Sequence, residues 1–476
     1  MEQNVRPVKK IVKHTVSIVV FALIVFFVIG VTYNVLRWKD TNGDYVSSVE
    51  QLKATDDNLI DVVFAGTSHV YCGVNPAVFW EQKGWACFDM STSGQDVKST
   101  YYHLKNLLKN QSPKVVYVDL YGILSEKHGV EGNIYRNYLS MPFSKNSIEH
   151  INSYFPKGER EDYYFRFPII HTRYRELKKY DYYEYKPNRY LRGEHISWNI
   201  GESYEPEITE GVLNPGELEE WQINWLNDMQ SLAREKEFEL VFIVLPSFTT
   251  FEHQKVYDAV AVYCEENGIG FMDLNRVRTE IGIVKSTDFE DAGHLNAYGA
   301  EKVGMYMMGQ MEEYGLADHR GDKDYYQWDL DLDEYNAGYE YSFIEKDADL
   351  SGLVGSISRN EDYISVVSLE GDYVAVGQPF YEPLSYLNMT YDDYEKGGKW
   401  IYEDGCLTKV LENDLEAEEY VKDLNRFDSL RIKYRGDYLF PDNIMINGDT
   451  YYNNGCHLCI LVYDKKRGEV VAYRRF

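Results

Sequence analysis

Residues that together could activate an oxygen nucleophile stand at two distant places in this chain. Ser68 lies in "FAGTSHVYCG" (Phe64 to Gly73), straight after the apolar run "DVVFA". Asp291 and His294 stand three apart in "STDFEDAGHLNAYGAEKVG". A serine hydroxyl is a weak nucleophile at neutral pH, so an imidazole must take its proton and a carboxylate must hold that imidazole in the right tautomer. His294 and Asp291 supply those groups, and Asp288 in the same loop is a rival for the orienting carboxylate. The oxyanion formed on acyl attack needs backbone donors, which Gly94 in "STSGQ" is placed to offer beside the amide of Ser68. Gly-Thr-Ser is also ordinary turn chemistry, so the serine alone carries little weight.

The elements that would position these residues are readable. From about 58 to 318, apolar runs alternate with helical patterns. The strand-like runs are "LIDVVFAGTS", "WACFDMSTSG", "KVVYVDLYG", "ELVFIVLPS" and "GIGFMDL". The helical stretches include "DVKSTYYHLKNLLKN", "GELEEWQINWLNDMQSLAREKE", "QKVYDAVAVYCEEN" and "AYGAEKVGMYMMGQMEEYG". Short apolar strands between amphipathic helices predict an α/β domain whose parallel sheet has helices on both faces. Ligands bind such sheets at the carboxyl ends of the strands, which is where Ser68 falls.

Residues 16–36 carry no charge, and a helix of about 20 residues crosses a ~30 Å hydrocarbon core. Arg6, Lys9, Lys10 and Lys13 precede the run, and only Arg37 and Lys39 follow before acidic residues begin. The positive-inside rule then places residues 1–15 in the cytoplasm and, after a linker at 37–57, the bulk of the chain outside. A cleaved signal peptide is the alternative; the long apolar run and the lack of a small-x-small site argue for an uncleaved anchor.

The net charge of -28 over 476 residues, with 77 acidic against 49 basic side chains, repels a polyanion and argues against nucleic acid as partner. Six scattered cysteines build no disulfide framework. "CHLC", Cys456 to Cys459, resembles half a zinc site without a second pair, so free thiols are expected and no metal or other cofactor is assigned. The 43 tyrosines suit sugar stacking and β-sheet packing alike.

An insertion at about 123–210 concentrates Arg166, His171, Arg173 and Arg175 in "FRFPIIHTRYREL". Insertions at the carboxyl edge of a sheet often form binding surfaces, so His171 and Arg173 are candidate ligands for an anionic or sugar substrate, or stand-ins for an oxyanion donor. The alternative is a basic helix face that pairs with acidic neighbours. From about 319, "DHRGDKDYYQWDLDLDEYNAGYEY" reads as a linker or the edge of a new domain, 319–476. "YISVVSLEGDYVAV", "SLRIKYRGDYLF" and two strands turning at "DKKRG" predict antiparallel β structure there. "DADLSG" lacks the later glutamate of a calcium loop and is read as an acidic turn.

The order "GTSH", "STSG", "DAGHLN" over 58–318 resembles the SGNH (GDSL-like) hydrolase superfamily. The resemblance implies a flavodoxin-like fold, Ser68 as nucleophile, Ser68 and Gly94 as oxyanion donors, His294 as base and Asp291 as its partner. Asp119 and Asn296, in the neighbouring motifs, join the possible substrate-binding residues. Where the family has a Gly-x-Asn-Asp turn with another oxyanion donor, this chain has "VDLYG", Asp119 to Gly122. Membrane-anchored members such as the teichoic-acid D-alanylation protein DltD and the alginate acetylation proteins are similar in layout. That likeness implies esterase or acyltransferase action on O-acyl groups, acetyl foremost, of a cell-surface polysaccharide, with a multi-span membrane O-acyltransferase as partner. A glycan-binding scaffold without turnover is the alternative. "MINGDTYYNNGCHLCILVYDKKRGEVV" distantly resembles the interleukin-like EMT inducer domain, which implies a binding module.

Overall fold

The computed structural model describes residues 5–37, 47–124, 137–138, 141–177, 179–182, 192, 195–208, 213–369, 380–413, 418–426, 428–434, 443–452 and 456–476. Much of the insertion at 123–210, and the strand continuations expected at 370–376 and 435–440, lie outside the described residues.

Five strands build the first sheet: β1 (Val62–Gly66), β2 (Cys87–Ser91), β3 (Val115–Asp119), β4 (Glu239–Val244) and β5 (Gly270–Asp273). All pairings are parallel, in the order β2-β1-β3-β4-β5. This is the flavodoxin-like order, whose switch point lies between β1 and β3. Val62 and Phe64 enter one apolar layer while Val63 and Ala65 enter the other. That period of two explains why the strands read as continuous apolar runs: both faces are covered. One layer takes Leu104 and Leu107, Leu226 and Met229, and Val260 and Cys264 from three helices. The other takes Val78 and Phe79, and Val303 and Met307, from the Pro76–Lys83 and Ala297–Met311 helices.

The first compact unit runs to Tyr335 and the second from Asn336 to Phe476. The boundary expected at about 319 thus falls later. Residues 326–342 form a helix, and Tyr325, Trp328 and Tyr335 around its first half are buried in the layers of the first unit. Aromatic side chains with that much area to bury outweigh the acidic composition that suggested a linker.

The second unit is antiparallel, as its sequence predicts. One sheet has five strands, β14 (Glu469–Arg475), β13 (Leu458–Asp464), β6 (Tyr363–Leu369), β7 (Gly398–Glu403) and β8 (Cys406–Leu411). The other has β12 (Asp449–Tyr452), β11 (Asn443–Ile446), β10 (Ser429–Tyr434) and β9 (Glu418–Asp423). Ile364, Val366 and Leu461 from the larger sheet meet Leu430, Ile432 and Ile444 from the smaller, so the two face each other. The opposite face of the larger sheet packs on the Leu350–Arg359 helix through Leu353, Val354 and Ile357. Within "DADLSG", Asp349 caps that helix through the amide of Gly352 at 2.8 Å. Cys456 and Cys459 form a disulfide, which corrects the expectation of free thiols. Their Cα atoms, 6.8 Å apart, lie within bridging distance.

One helix, Val5–Leu36, contains a stretch, His14–Leu36, long and apolar enough to cross a membrane.

Candidate functional site

β1 ends at Gly66, where the chain passes so close to β3 that a Cβ would stand 2.8 Å from the Cβ of Asp119. Only glycine permits that approach. Thr67 then caps the short Ser68–Gly73 helix, accepting from the amide of His69 at 3.2 Å. Ser68 is therefore held at the carboxyl edge, next to the switch point between β1 and β3.

His294 reaches it from the loop before the Ala297–Met311 helix. Its Nε2 lies 2.8 Å from Ser68 Oγ, and its Nδ1 lies 3.0 Å from both carboxylate oxygens of Asp291. The backbone amides of Gly293 and His294 also donate to Asp291 Oδ1, at 2.8 and 2.9 Å. Burial raises the affinity of this carboxyl for its proton. The hydrogen bond from His294 and the two amides outweigh that effect, so Asp291 is held below the usual carboxylate range.

The rival, Asp288, is buried and committed elsewhere. It accepts from the amide of Val284 at 2.7 Å and from Lys302 at 2.6 Å. Gly94 adopts φ +61°, in the left-handed region. Because Gly66 pairs with Ser91 in the β1–β2 register, its turn leaves the sheet beside Ser68.

The remaining sequence candidates occupy supporting positions. Asp119 is buried beneath the nucleophile turn, accepting from Thr67 Oγ1 at 3.3 Å and from the amide of Tyr121 at 3.2 Å. Burial pushes its carboxyl up to about 7, against the hydrogen bonds that favour its charged form. The Tyr121 amide, in the turn after β3, is thereby taken up. Asn296 is buried too: its Oδ1 caps the following helix at Gly299, and its Nδ2 donates to the carbonyls of Asn199 and Thr287 at 3.0 and 2.8 Å. Arg173 donates to the carbonyls of Leu36 and Arg37 at 3.1 and 2.6 Å and to Asp181 at 2.6 Å. His171 is exposed on the same turn, which packs against the apolar helix. Asp119, Asn296 and Arg173 thus hold the scaffold where the sequence suggested substrate contacts. Each has at least one partner distant in sequence: Thr67 for Asp119, Asn199 for Asn296, and Leu36 and Arg37 for Arg173.

Two features of the site were not read from the sequence. His69 stacks on Tyr121 with ring centroids 3.8 Å apart and meets His294 edge-on at 5.3 Å. Burial, aided by the neighbouring His294, holds its pKa down to about 3, so it adds no positive charge beside that imidazole. The segment 197–203 backs the acid loop: Gly201 donates to the carbonyl of Phe289 at 2.9 Å, and Ala297 donates to the carbonyl of Ser197 at 2.8 Å. A Cβ on Gly201 would stand 1.9 Å from the carbonyl oxygen of Glu290. The adjacency of Ser68 and His69 was a visible signal for the first feature; nothing local announced the second.

A second serine–imidazole pair lies in the same unit. Ser99 Oγ is 3.1 Å from His150 Nε2, and both side chains are buried. The Nδ1 of His150 has no hydrogen-bond partner among the described residues, and burial lowers its pKa well below the usual imidazole range. Among the described residues, no group of three or more His, Cys, Asp or Glu is placed to hold a metal ion.

No protein-family model matches the chain, and no curated protein matches it. Among solved structures, a candidate acylhydrolase, BF3764 from Bacteroides fragilis NCTC 9343, is similar at 12% identity and a TM-score of 0.28. The match covers 56% of this chain and 94% of that one. A score of this size does not establish a shared fold, so the chemistry has to be read from the site itself.

Proposed function

We propose that this protein is a membrane-anchored serine acyltransferase or esterase of SGNH type. Its substrates would be O-acyl, chiefly acetyl, esters of a cell-surface glycan. The observation that carries this reading is the hydrogen-bonded series from Ser68 Oγ through His294 to Asp291. His294 Nε2 takes the proton of Ser68 as Oγ attacks the ester carbonyl carbon. The amides of Ser68 and Gly94 receive the oxyanion, and the charge of Asp291 supports the imidazolium. Collapse expels the sugar oxygen, which takes the proton from His294, and leaves an acyl-serine. A second hydroxyl, from a sugar or from water, then gives its proton to His294 and attacks the acyl carbon, and Ser68 Oγ leaves with that proton from His294, which restores the site. Transfer prevails where the acceptor sugar excludes water.

The apolar helix serves as the anchor, with the short N-terminal segment cytoplasmic and both units outside. A multi-span O-acyltransferase is the partner this layout calls for as acyl source, and the second unit is a binding or docking module. A scaffold that binds glycan without turnover is the competing reading, favoured by one observation: Asp119 occupies the Tyr121 amide in the turn where a third oxyanion donor would be sought.

Intact-mass spectrometry after a fluorophosphonate probe or an activated acetyl ester separates the two readings. One adduct on the full chain, lost in Ser68→Ala and in His294→Ala, is expected. No adduct under conditions that label a working serine esterase would favour the scaffold.

A further inference from the structure

The apolar helix does not leave the first unit on a free tether. Nearly every residue from Val16 to Val31 is exposed, but burial begins at Thr32, and Leu36 is 6% exposed. The exposed stretch from His14 to Val31 is about 27 Å long at 1.5 Å per residue, close to the thickness of a hydrocarbon core. The bilayer boundary then falls where the protein begins to cover the helix.

What covers it is a collar of three short turns, Phe167–Ile170, His171–Arg175 and Lys179–Tyr182. The buried guanidinium of Arg173 closes the collar onto the helix end, satisfying the carbonyls of Leu36 and Arg37 that a helix terminus otherwise leaves unpaired. Its other edge is locked to Asp181. The collar nevertheless leaves large aromatic side chains in the open: Phe167 is 39%, Tyr174 58% and Tyr182 64% exposed. Arg175 lies over the ring of Tyr174, 5.4 Å from its centroid. Exposed tyrosines and an arginine at the level where a helix leaves the hydrocarbon are the composition of a membrane-interface belt.

We infer that the collar Phe167–Tyr182 lies on the bilayer surface, with its exposed aromatic side chains at the headgroup boundary and the first unit docked against the membrane. This rests on the anchoring reading above. Docking also fixes which part of the sheet is near the lipid. Arg37 pairs with Glu50 at 3.3 Å, and Ser48, on the same Ser47–Ala54 helix, donates to the carbonyl of Ser91 at 3.1 Å. Ser91 ends β2 directly beside Gly66, so a short chain of contacts joins the helix end to the carboxyl edge carrying Ser68. The ester this site meets is therefore presented near the membrane plane, as the headgroup of a lipid-linked glycan would be.

The test uses the full chain in lipid vesicles, with p-benzoylphenylalanine placed singly at Phe167, Tyr174, Tyr182, Phe26 or Lys109. Phe26 lies in the apolar helix, and exposed Lys109 lies at the opposite, amino-terminal edge of the sheet. On irradiation, lipid adducts are expected at Phe26 and at the three collar positions and not at Lys109. Adducts at Phe26 with collar yields no higher than at Lys109 would overturn the docking and leave the anchor standing. Absence of adducts at Phe26 would remove the anchor and the docking together, and equal yields at all five positions would show a surface with no preferred face.

Discussion

Ser68 meets the Nε2 of His294 at 2.8 Å, and Ser99 meets the Nε2 of His150 at 3.1 Å, so one unit holds two serine–imidazole pairs of nearly equal geometry. Their surroundings differ. His294 is half-buried and has a carboxylate on its other nitrogen, while His150 is sealed, with that nitrogen unpartnered. Burial makes the charged form of His150 expensive, so it cannot hold a proton taken from Ser99. Ser99 also shares its hydroxyl with Tyr154 at 3.3 Å, inside a network that packs the Val97–Leu107 helix on the Lys145–Tyr154 helix. A serine beside a histidine is thus a packing motif until a carboxylate and an open edge are added.

The sharpest break of that comparison is paired substitution. Ser68→Ala should abolish probe labelling, a loss on the order of 10⁴-fold or more. Ser99→Ala should leave the labelling rate within about twofold while lowering thermal stability, as a lost buried hydrogen bond does. Equal losses in the two variants would erase the distinction drawn here.

Asp291→Asn should cut the labelling rate by roughly 10²- to 10⁴-fold, because the amide no longer fixes the tautomer of His294 or supports its charge. Asp288→Asn should cost stability through Val284 and Lys302 and spare the rate constant of the folded fraction. If the two effects were exchanged, the carboxylates would have to be reassigned.

Gly201→Val tests the support behind the loop. Its Cβ would collide with the carbonyl of Glu290 and lie 3.3 Å from the Cα of Asp291, so the acid should move away from His294. A fall in labelling rate of roughly ten- to a hundredfold is expected, since small misplacements cost that much. An unchanged rate would show that segment 197–203 does not position the loop.

The smallest effect concerns pH. The Asp119 carboxyl titrates at about 7 when folded, against 3.8 for a free side chain. Between about pH 4 and 7 the unfolded chain has lost a proton that the folded chain retains, so stability falls as pH rises through that window and levels above it. Asp119→Asn should remove that contribution, so the denaturation midpoint at pH 8 rises relative to that at pH 5 when compared with the parent chain. Asp89 and Asp331, pushed up by burial, supply slope of the same sign as Asp119, and the buried His69, His103 and His150, held down by burial, supply slope of the opposite sign, so the change between variant and parent is the readout. A difference unaltered in the variant would contradict the placement of Asp119.

How much of this was legible depends on how local each signal was. β1 to β4 were visible because burial on both faces writes an uninterrupted apolar run, while β5, a half-buried edge strand, was visible only as a short apolar run; the order of strand ends placed Ser68 and Gly94 on one edge. The contact between Asp291 and His294 was visible because the two share one four-residue turn. The choice of Asp291 over Asp288 needed the structure, since Asp288 is claimed by Lys302 fourteen residues later. Arg173 suggested a ligand site because its partners, Leu36 and Arg37, lie more than 130 residues away and are backbone carbonyls, which carry no sequence mark. The extension of the first unit to Tyr335 was hidden by the acidic residues between Trp328 and Tyr335: Asp333 is exposed, but Asp331 is buried against Arg192, a partner 139 residues away that leaves no local sequence mark.

The bond between His294 and Ser68 spans 226 residues. Ser68 is thus made early in synthesis and His294 late, so at roughly 5–20 residues per second an interval of about 10 to 45 seconds separates them. Through that interval Ser68 is an ordinary alcohol. On the proposed function, reactivity would arrive only once the turn carrying Asp291 and His294 is in place, so a chain that ended before it would carry an inert serine rather than an unguarded one.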